Sequence, residues 1–269
     1  MYKAFYGLKE KPFNKTPDPR FLFYSSTHTE GLARLQHAVE ERDIVLLTGG
    51  IGCGKTTLSR ALMDLLSDDT QTILLTNPRL SPLEFLRVLA IRLGIEQPAD
   101  YKADLLEQLG AHLYRLYRDG VHPVLIIDEA QLIPHRDTFD EIRLLTNFQL
   151  DDGNLMSVIF VGQPELRTRL SHPVYEPLRQ RIGLQFDVAP LTVEEVGEYL
   201  TFRLVCAEGP PDLFLPEAID DIARFTCGVP RRINQVATLA LLEGFGRGAQ
   251  KIDADIVREV IVELEALNG

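Results

Sequence analysis

Short, unbroken aliphatic runs alternate with stretches of helical periodicity along most of this chain. Leu32, Leu35 and Val39 recur at helical spacing from Thr29 onward, and Ile44-Val45-Leu46-Leu47 then reads as a buried strand. A glycine-rich turn and a predicted helix, Thr56 to Leu66, follow it. Thr72 to Thr76 reads as a second strand. Ser81, with Pro82 behind it, marks the start of a helix that runs to about Arg92. A helix from about Tyr101 to Arg118 leads into a strand from Pro123 to Ile127. Another, about Asp137 to Asn147, precedes a strand from Met156 to Val161, and Leu184 to Val188 supplies a fifth. Continuous apolar strands alternating with helices predict an α/β fold with a parallel sheet covered on both faces.

After Pro190 the pattern is helical alone. Thr192 and Glu195 form a capping box for a helix to about Val205, and Pro216 opens a second helix that ends near Gly228. Pro230 opens a third, ending near Gly244 to Gly248, and Asp253 caps a fourth. Residues 1–27 show neither period, yet Phe5, Tyr6, Phe13, Phe21, Phe23 and Tyr24 are too many aromatics for a solvated tail. The expected organisation is therefore an arm, 1–28, packing on the core; an α/β core, 29–190; and a smaller all-helical domain, 191–269.

Composition narrows the class. An apolar fraction of 45% and a charged fraction of 25% over 269 residues exclude a disordered or disulfide-stapled chain. No apolar run is long enough to span a membrane and no export signal opens the chain, so a cytoplasmic location without direct membrane insertion is expected. The triplet Asn14-Lys15-Thr16 is then a chance glycosylation match, and Cys53, Cys206 and Cys227, with no CxxC pair, are expected to be reduced. Net charge is −11, and residues 190–269 hold 14 acidic against 7 basic side chains. An all-round positive coat for nucleic acid is thereby excluded, and an anionic partner is expected to meet the N-terminal part.

The chemistry begins at Gly49-Gly50-Ile51-Gly52-Cys53-Gly54-Lys55-Thr56, a GxxxxGK[ST] loop between a predicted strand and a predicted helix. Small residues let its amides cradle phosphates, Lys55 neutralises the β and γ groups, and Thr56 ligates Mg2+. Asp128 and Glu129 end the strand Val124 to Ile127, where parallel sheets meet ligands. Asp128 is expected to hold the metal shell and Glu129 to activate water as general base. A water-activating carboxylate argues for hydrolysis over phosphoryl transfer to a second substrate. Gln163 ends the next strand and is placed to orient water or meet the γ-phosphate; the alternative is an amide capping the loop before Pro164. Arg179 and Arg181 fall on different faces of one segment, and spacing alone leaves open which meets a neighbour.

Together the N-terminal arm and the segments GGIGCGKTT, LIIDEAQ, VGQPEL, LRQRI and CGVPRRIN resemble the AAA+ ATPases of the ExeA/GspA type, and more distantly the MuB/TniB transposition ATPases. The resemblance covers nearly the whole chain. It implies a P-loop NTPase with a five-stranded sheet and a helical lid, forming a homo-oligomer, a ring or helix, that hydrolyses ATP between subunits. It further implies that Gly49 to Lys55, with Thr56 and Thr57, contact nucleotide, and that Tyr24 to His28 lie near the adenine. Gln163 matches the sensor 1 position, Arg181 the arginine finger with Arg179 as the lesser candidate, and Arg231 the sensor 2 position.

Two departures stand out. ExeA-type proteins usually continue into a membrane span and a periplasmic part, whereas this sequence stops at Gly269, so either an envelope task passes through a partner or the task does not lie in the envelope. The loop also carries Cys53 where Thr or another small residue is commoner; a thiol at a helix N-terminus tends to ionise, so alkylation is expected to inactivate hydrolysis and ATP to protect it, the alternative being a small residue that merely fits the turn. The leading expectation is an ATPase that assembles or remodels a protein complex of a secretion or pilus machine. The alternative is an ATP-dependent regulator of transposition on duplex DNA, with Arg79, Arg87, Lys102, Arg136 and Arg143 gripping phosphates.

Overall fold

A computed structural model describes residues 1–14, 19–150 and 153–268; Lys15 and Thr16 of the glycosylation-like triplet lie outside the described residues. In chain order the elements are α1 (Tyr2–Phe5), a 3-10 turn (Pro19–Phe21), α2 (Ser26–Glu40), β1 (Ile44–Gly49), α3 (Lys55–Leu65), β2 (Thr70–Leu75), α4 (Pro82–Leu93), α5 (Lys102–Arg118) and β3 (His122–Ile127). Then come α6 (Arg136–Leu145), the hairpin β4 (Gln149–Leu150) and β5 (Gly153–Asn154), β6 (Ser157–Gly162), α7 (Pro164–Leu170), α8 (Glu176–Arg179) and β7 (Ile182–Val188). Four helices close the order: α9 (Val193–Cys206), α10 (Pro216–Thr226), α11 (Pro230–Arg247) and α12 (Ala254–Asn268).

The chain forms two compact units, one of His28–Ile51 with Lys55–Val188, the other of Met1–Thr27, Gly52–Gly54 and Ala189–Gly269. The first is built on a parallel sheet of strand order β2-β3-β6-β1-β7. Every residue of β1 and β6 is buried, which is why Ile44–Leu47 and Val158–Val161 are apolar without a break. Edge strand β7 instead alternates from Ile182 to Val188, and its half-solvated start leaves the expected strand beginning only at Leu184. The hairpin β4–β5, like α8, is too short to leave a periodic signal.

Register fixes the working edge. Thr48 of β1 lies opposite Gly162 of β6, and Ile127 of β3 opposite Phe160, so the loops after these strands leave the sheet together. Thr48 also ties that edge sideways: its hydroxyl donates to Asp187 Oδ1 at 2.6 Å and accepts from Arg167 of α7 at 2.8 Å.

In the second unit, Leu191, Val196, Leu200 and Leu204 pack with apolar residues of α10, α11 and α12. Thr192 and Glu195 make the reciprocal capping box. The arm, expected on the α/β core, contributes Tyr6, Leu8, Phe13 and Phe21 to this helical cluster instead. A buried cation secures it: Arg203, 7% exposed, donates to the Pro12 carbonyl at 2.6 Å and stacks 4.7 Å from the Phe21 ring. Among the described residues no helix is long and apolar enough to cross a membrane.

Candidate nucleotide site

The glycine-rich loop joins β1 to α3. Gly49 has to lack a side chain, because a Cβ there would lie 2.8 Å from the Val188 carbonyl of β7. Gly52 at φ 84° and Gly54 at φ 96° take left-handed backbone conformations that other residues adopt only with strain. Ile51 stands 62% exposed at the loop tip. Lys55 opens α3 only 7% exposed, its ammonium donating to the carbonyls of Gly49 at 2.8 Å and Gly50 at 3.0 Å. A buried cation fixed on this loop is the group a polyphosphate needs.

Thr56, one residue on, donates its hydroxyl to Asp128 Oδ2 at 2.9 Å. Asp128 is 6% exposed, and its other oxygen accepts from the Glu129 amide at 2.9 Å. A hydroxyl and a carboxylate brought together this way form a hard-oxygen donor set, which fits Mg2+ completed by water and phosphate oxygens.

Glu129 turns the chain sharply, at φ 53° and ψ 39°. That conformation costs a non-glycine residue on the order of 1–2 kcal/mol. Its Oε2 accepts from Gln163 Nε2 at 3.3 Å and from Gln131 Nε2 at 2.5 Å. Glu129 and Gln163, 34 residues apart, are thus brought into contact by the β3–β6 pairing. Gln131 escaped sequence reasoning. Its signal was slight: an amide between Ala130 and Leu132 in the tight turn after the acidic pair.

The two candidate arginines part company. Arg179 is taken up locally, donating to the Ser171 carbonyl at 2.8 Å and pairing with Glu176. Arg181 is exposed, donates to Thr146 Oγ1 at 2.9 Å, and borders a cavity of about 220 Å³ with Ile44, Thr146 and Asn154. It precedes β7, whose far end meets Gly49, so it stands roughly 20 Å along the sheet from its own phosphate loop. Such an arginine serves a neighbour's nucleotide or none.

Gly52 to Gly54 group with the helical unit, where the Arg231 amide donates to the Gly52 carbonyl at 3.4 Å. A Cβ on Gly52 would come within 2.7 Å of Arg231 Cβ. Tyr24 lies in the same unit, 53% exposed, while His28 is buried in the α/β unit and Thr57 is half-buried in α3. Cys53 is 1% exposed, so the reagent sensitivity expected of it meets a steric obstacle. Of the basic residues suggested for DNA, Arg87 pairs with Asp100, Lys102 with Glu141, and both Arg136 and Arg143 with Asp140.

Comparison with known proteins agrees with this fold. The family described as AAA domain matches residues 37–170. General secretion pathway protein A of Aeromonas hydrophila is 36% identical over 255 residues, covering 94% of this chain and 46% of that protein. The chain therefore spans about half the length of this relative. The ORC2 protein of Aeropyrum pernix superposes with a TM-score of 0.70 at 17% identity, over 96% of this chain and 72% of the other. The RuvB branch migration motor of Thermotoga maritima does so with 0.60 at 21% identity, over 95% and 74%. At these identities the two structures speak for the fold.

Proposed function

This chain belongs to the AAA+ family of P-loop proteins, as a member of the general secretion pathway protein A type, and from that premise we propose that it binds Mg-ATP and hydrolyses it to ADP and phosphate. The observation that carries the reading is the gathering of Lys55, the Thr56–Asp128 pair and the Glu129–Gln163 pair on one edge of one sheet.

The main-chain amides of Gly50 to Thr56 and the Lys55 ammonium bind the phosphates. Thr56 and Asp128 hold the Mg2+ shell, and the metal, when bound, offsets the charge of the β and γ groups. Glu129 takes the proton of the attacking water, a role typically worth about 10² to 10⁴ in rate. Gln163 orients the γ-phosphate or that water. Arg181 acts in trans, so hydrolysis belongs to a homo-oligomer; a trans arginine contributes about 10³ to 10⁵. The task served is assembly or remodelling of a protein complex in secretion, on the cytoplasmic side where ATP is available, which rests on the kinship with general secretion pathway protein A. Binding to duplex DNA draws little support from the basic residues suggested for it, since Arg87, Lys102, Arg136 and Arg143 are engaged with carboxylates and Arg79 alone has no such pair among the described residues.

Phosphate release by the purified chain, measured against protein concentration, tests the reading. A rate rising faster than linearly is expected, with Glu129→Gln lowering it about 10² to 10⁴-fold while ATP still binds. Absence of calorimetric heat with Mg-ATP or a slowly hydrolysed analogue would overturn it.

A further inference from the structure

We propose that Gln131 is the positioning residue for the Glu129 carboxylate, holding it for water activation independently of Gln163. This rests on the ATPase reading above. Gln131 bridges two parts of the site: its Nε2 donates to Glu129 Oε2 at 2.5 Å, and its Oε1 accepts from the Gln163 main-chain amide at 3.2 Å. The partners decide the orientation of this amide, because an ionised carboxylate can only accept and a backbone N–H can only donate. With Oε1 held by the strand end, Nε2 has to face Glu129.

The surroundings are shaped for this contact. Gly162 ends β6, and a Cβ there would stand 2.8 Å from Gln131 Oε1, so glycine leaves the room the amide occupies. Beneath, Arg169 of α7 donates to the main-chain carbonyls of Gln131 at 3.4 Å and Ile133 at 2.5 Å. Its Nε donates to the Tyr175 hydroxyl, and its guanidinium lies 4.9 Å from the Phe139 ring. The turn carrying Glu129 in its left-handed conformation is thus anchored at main chain and side chain alike, as a strained catalytic turn requires.

The division of labour follows from which oxygen is used. Both glutamines donate to Oε2, and Oε1 of Glu129 accepts no hydrogen bond among the described residues, leaving it for the water. The Gln163 bond is the longer, at 3.3 Å. When Gln163 turns its amide toward the γ-phosphate, the shorter Gln131 bond keeps the carboxylate aimed. Without Gln131, engagement of Gln163 by phosphate would set Glu129 loose at the moment it is needed.

Gln131→Met, of similar length without donors, and Gln131→Glu, which puts a second carboxylate beside Glu129, test the inference in the full chain. The expected result is a fall in kcat for ATP on the order of 10- to 100-fold, with KM and the Kd of a slowly hydrolysed ATP analogue within about twofold of wild type. In a Glu129→Gln background, Gln131→Met should cost nothing further in single-turnover rate, since its target is already gone. A folded Gln131→Met protein with kcat within twofold of wild type would overturn the inference, as would equal losses of kcat and affinity or a further loss in the Glu129→Gln background. Should Gln131→Met fail to fold, Gln131→Glu is judged by the same kcat-against-affinity split. Wild type that hydrolyses, Glu129→Gln that does not, and an unimpaired Gln131→Met together refute only the role of Gln131; a wild type that never hydrolyses ATP refutes the underlying reading.

Discussion

The hydroxyl of Thr56 donates to the carboxylate of Asp128 at 2.9 Å, joining the first turn of α3 to the end of β3 across 72 residues of chain. Two oxygens held together by the sheet and not by a flexible loop make a preorganised half-shell for a hard cation. Asp128→Asn should therefore weaken Mg-ATP binding on the order of 10- to 100-fold while leaving metal-free ATP within about twofold. Titration of a fluorescent nucleotide with and without chelator reads the difference, and an equal loss in both would show that Asp128 holds the fold rather than the metal.

Arg181 donates to Thr146 at the far end of β7 from Gly49, where it cannot reach its own nucleotide. Arg181→Ala should keep ATP affinity and lose most hydrolysis, by about 10³-fold or more. Mixing it with Glu129→Gln, which keeps its arginine but not its base, should restore part of the activity, because each inactive chain supplies what the other lacks. A mixture as inactive as its components would mean that Arg181 has no role across subunits.

How much of this was legible in the sequence depended on how local the cause was. Burial on both faces gives β1, β3 and β6 their apolar runs Ile44–Leu47, Val124–Ile127 and Val158–Val161, and the phosphate loop and the Asp128–Glu129 pair each sit within eight residues of a strand end, so pattern alone found them. Edge strand β7 was truncated by its alternation, and the β4–β5 hairpin left no periodicity. The aromatics of the arm announced burial but not against what, and it holds for Tyr6, Phe13 and Phe21 while Tyr24 is exposed; Phe13 meets Phe214 at 6.0 Å between ring centres, about two hundred residues away. Gln131 escaped for the same reason. Its bond to the Gln163 amide spans 32 residues and exists only once β3 and β6 are paired.

Cysteine chemistry separates loop geometry from access. Cys53 is 1% exposed, whereas Cys227, in the left-handed cap of α10, is exposed. A bulky thiol reagent should label Cys227 first and Cys53 only on unfolding, with phosphate release unchanged while Cys227 alone is modified. Peptide mass spectrometry over time reads the order. Stoichiometric labelling of Cys53 in the folded protein, blocked by ATP, would instead show that the loop opens readily.

His122, at the start of β3, carries a pH dependence remote from the phosphates. Burial is the chief cause lowering its pKa to about 4, with the Arg42 guanidinium adding to the fall and Asp69 opposing it. Its Nε2 lies 3.0 Å from the hydroxyl of Ser157, itself buried on β6. In the unfolded chain an ordinary histidine titrates near 6.5, so between that pH and about 4 the unfolded state binds the extra proton. Stability is therefore intact above pH 6.5 and falls as the solution is acidified toward pH 4. For a half-buried group the loss is about 1–2 kcal/mol once solvent screening is allowed for. Thermal melts from pH 7 to pH 4.5 should show the wild type losing more stability than His122→Gln over this window. Parallel curves for the two proteins would mean that the imidazole stays solvated enough to take up its proton without cost.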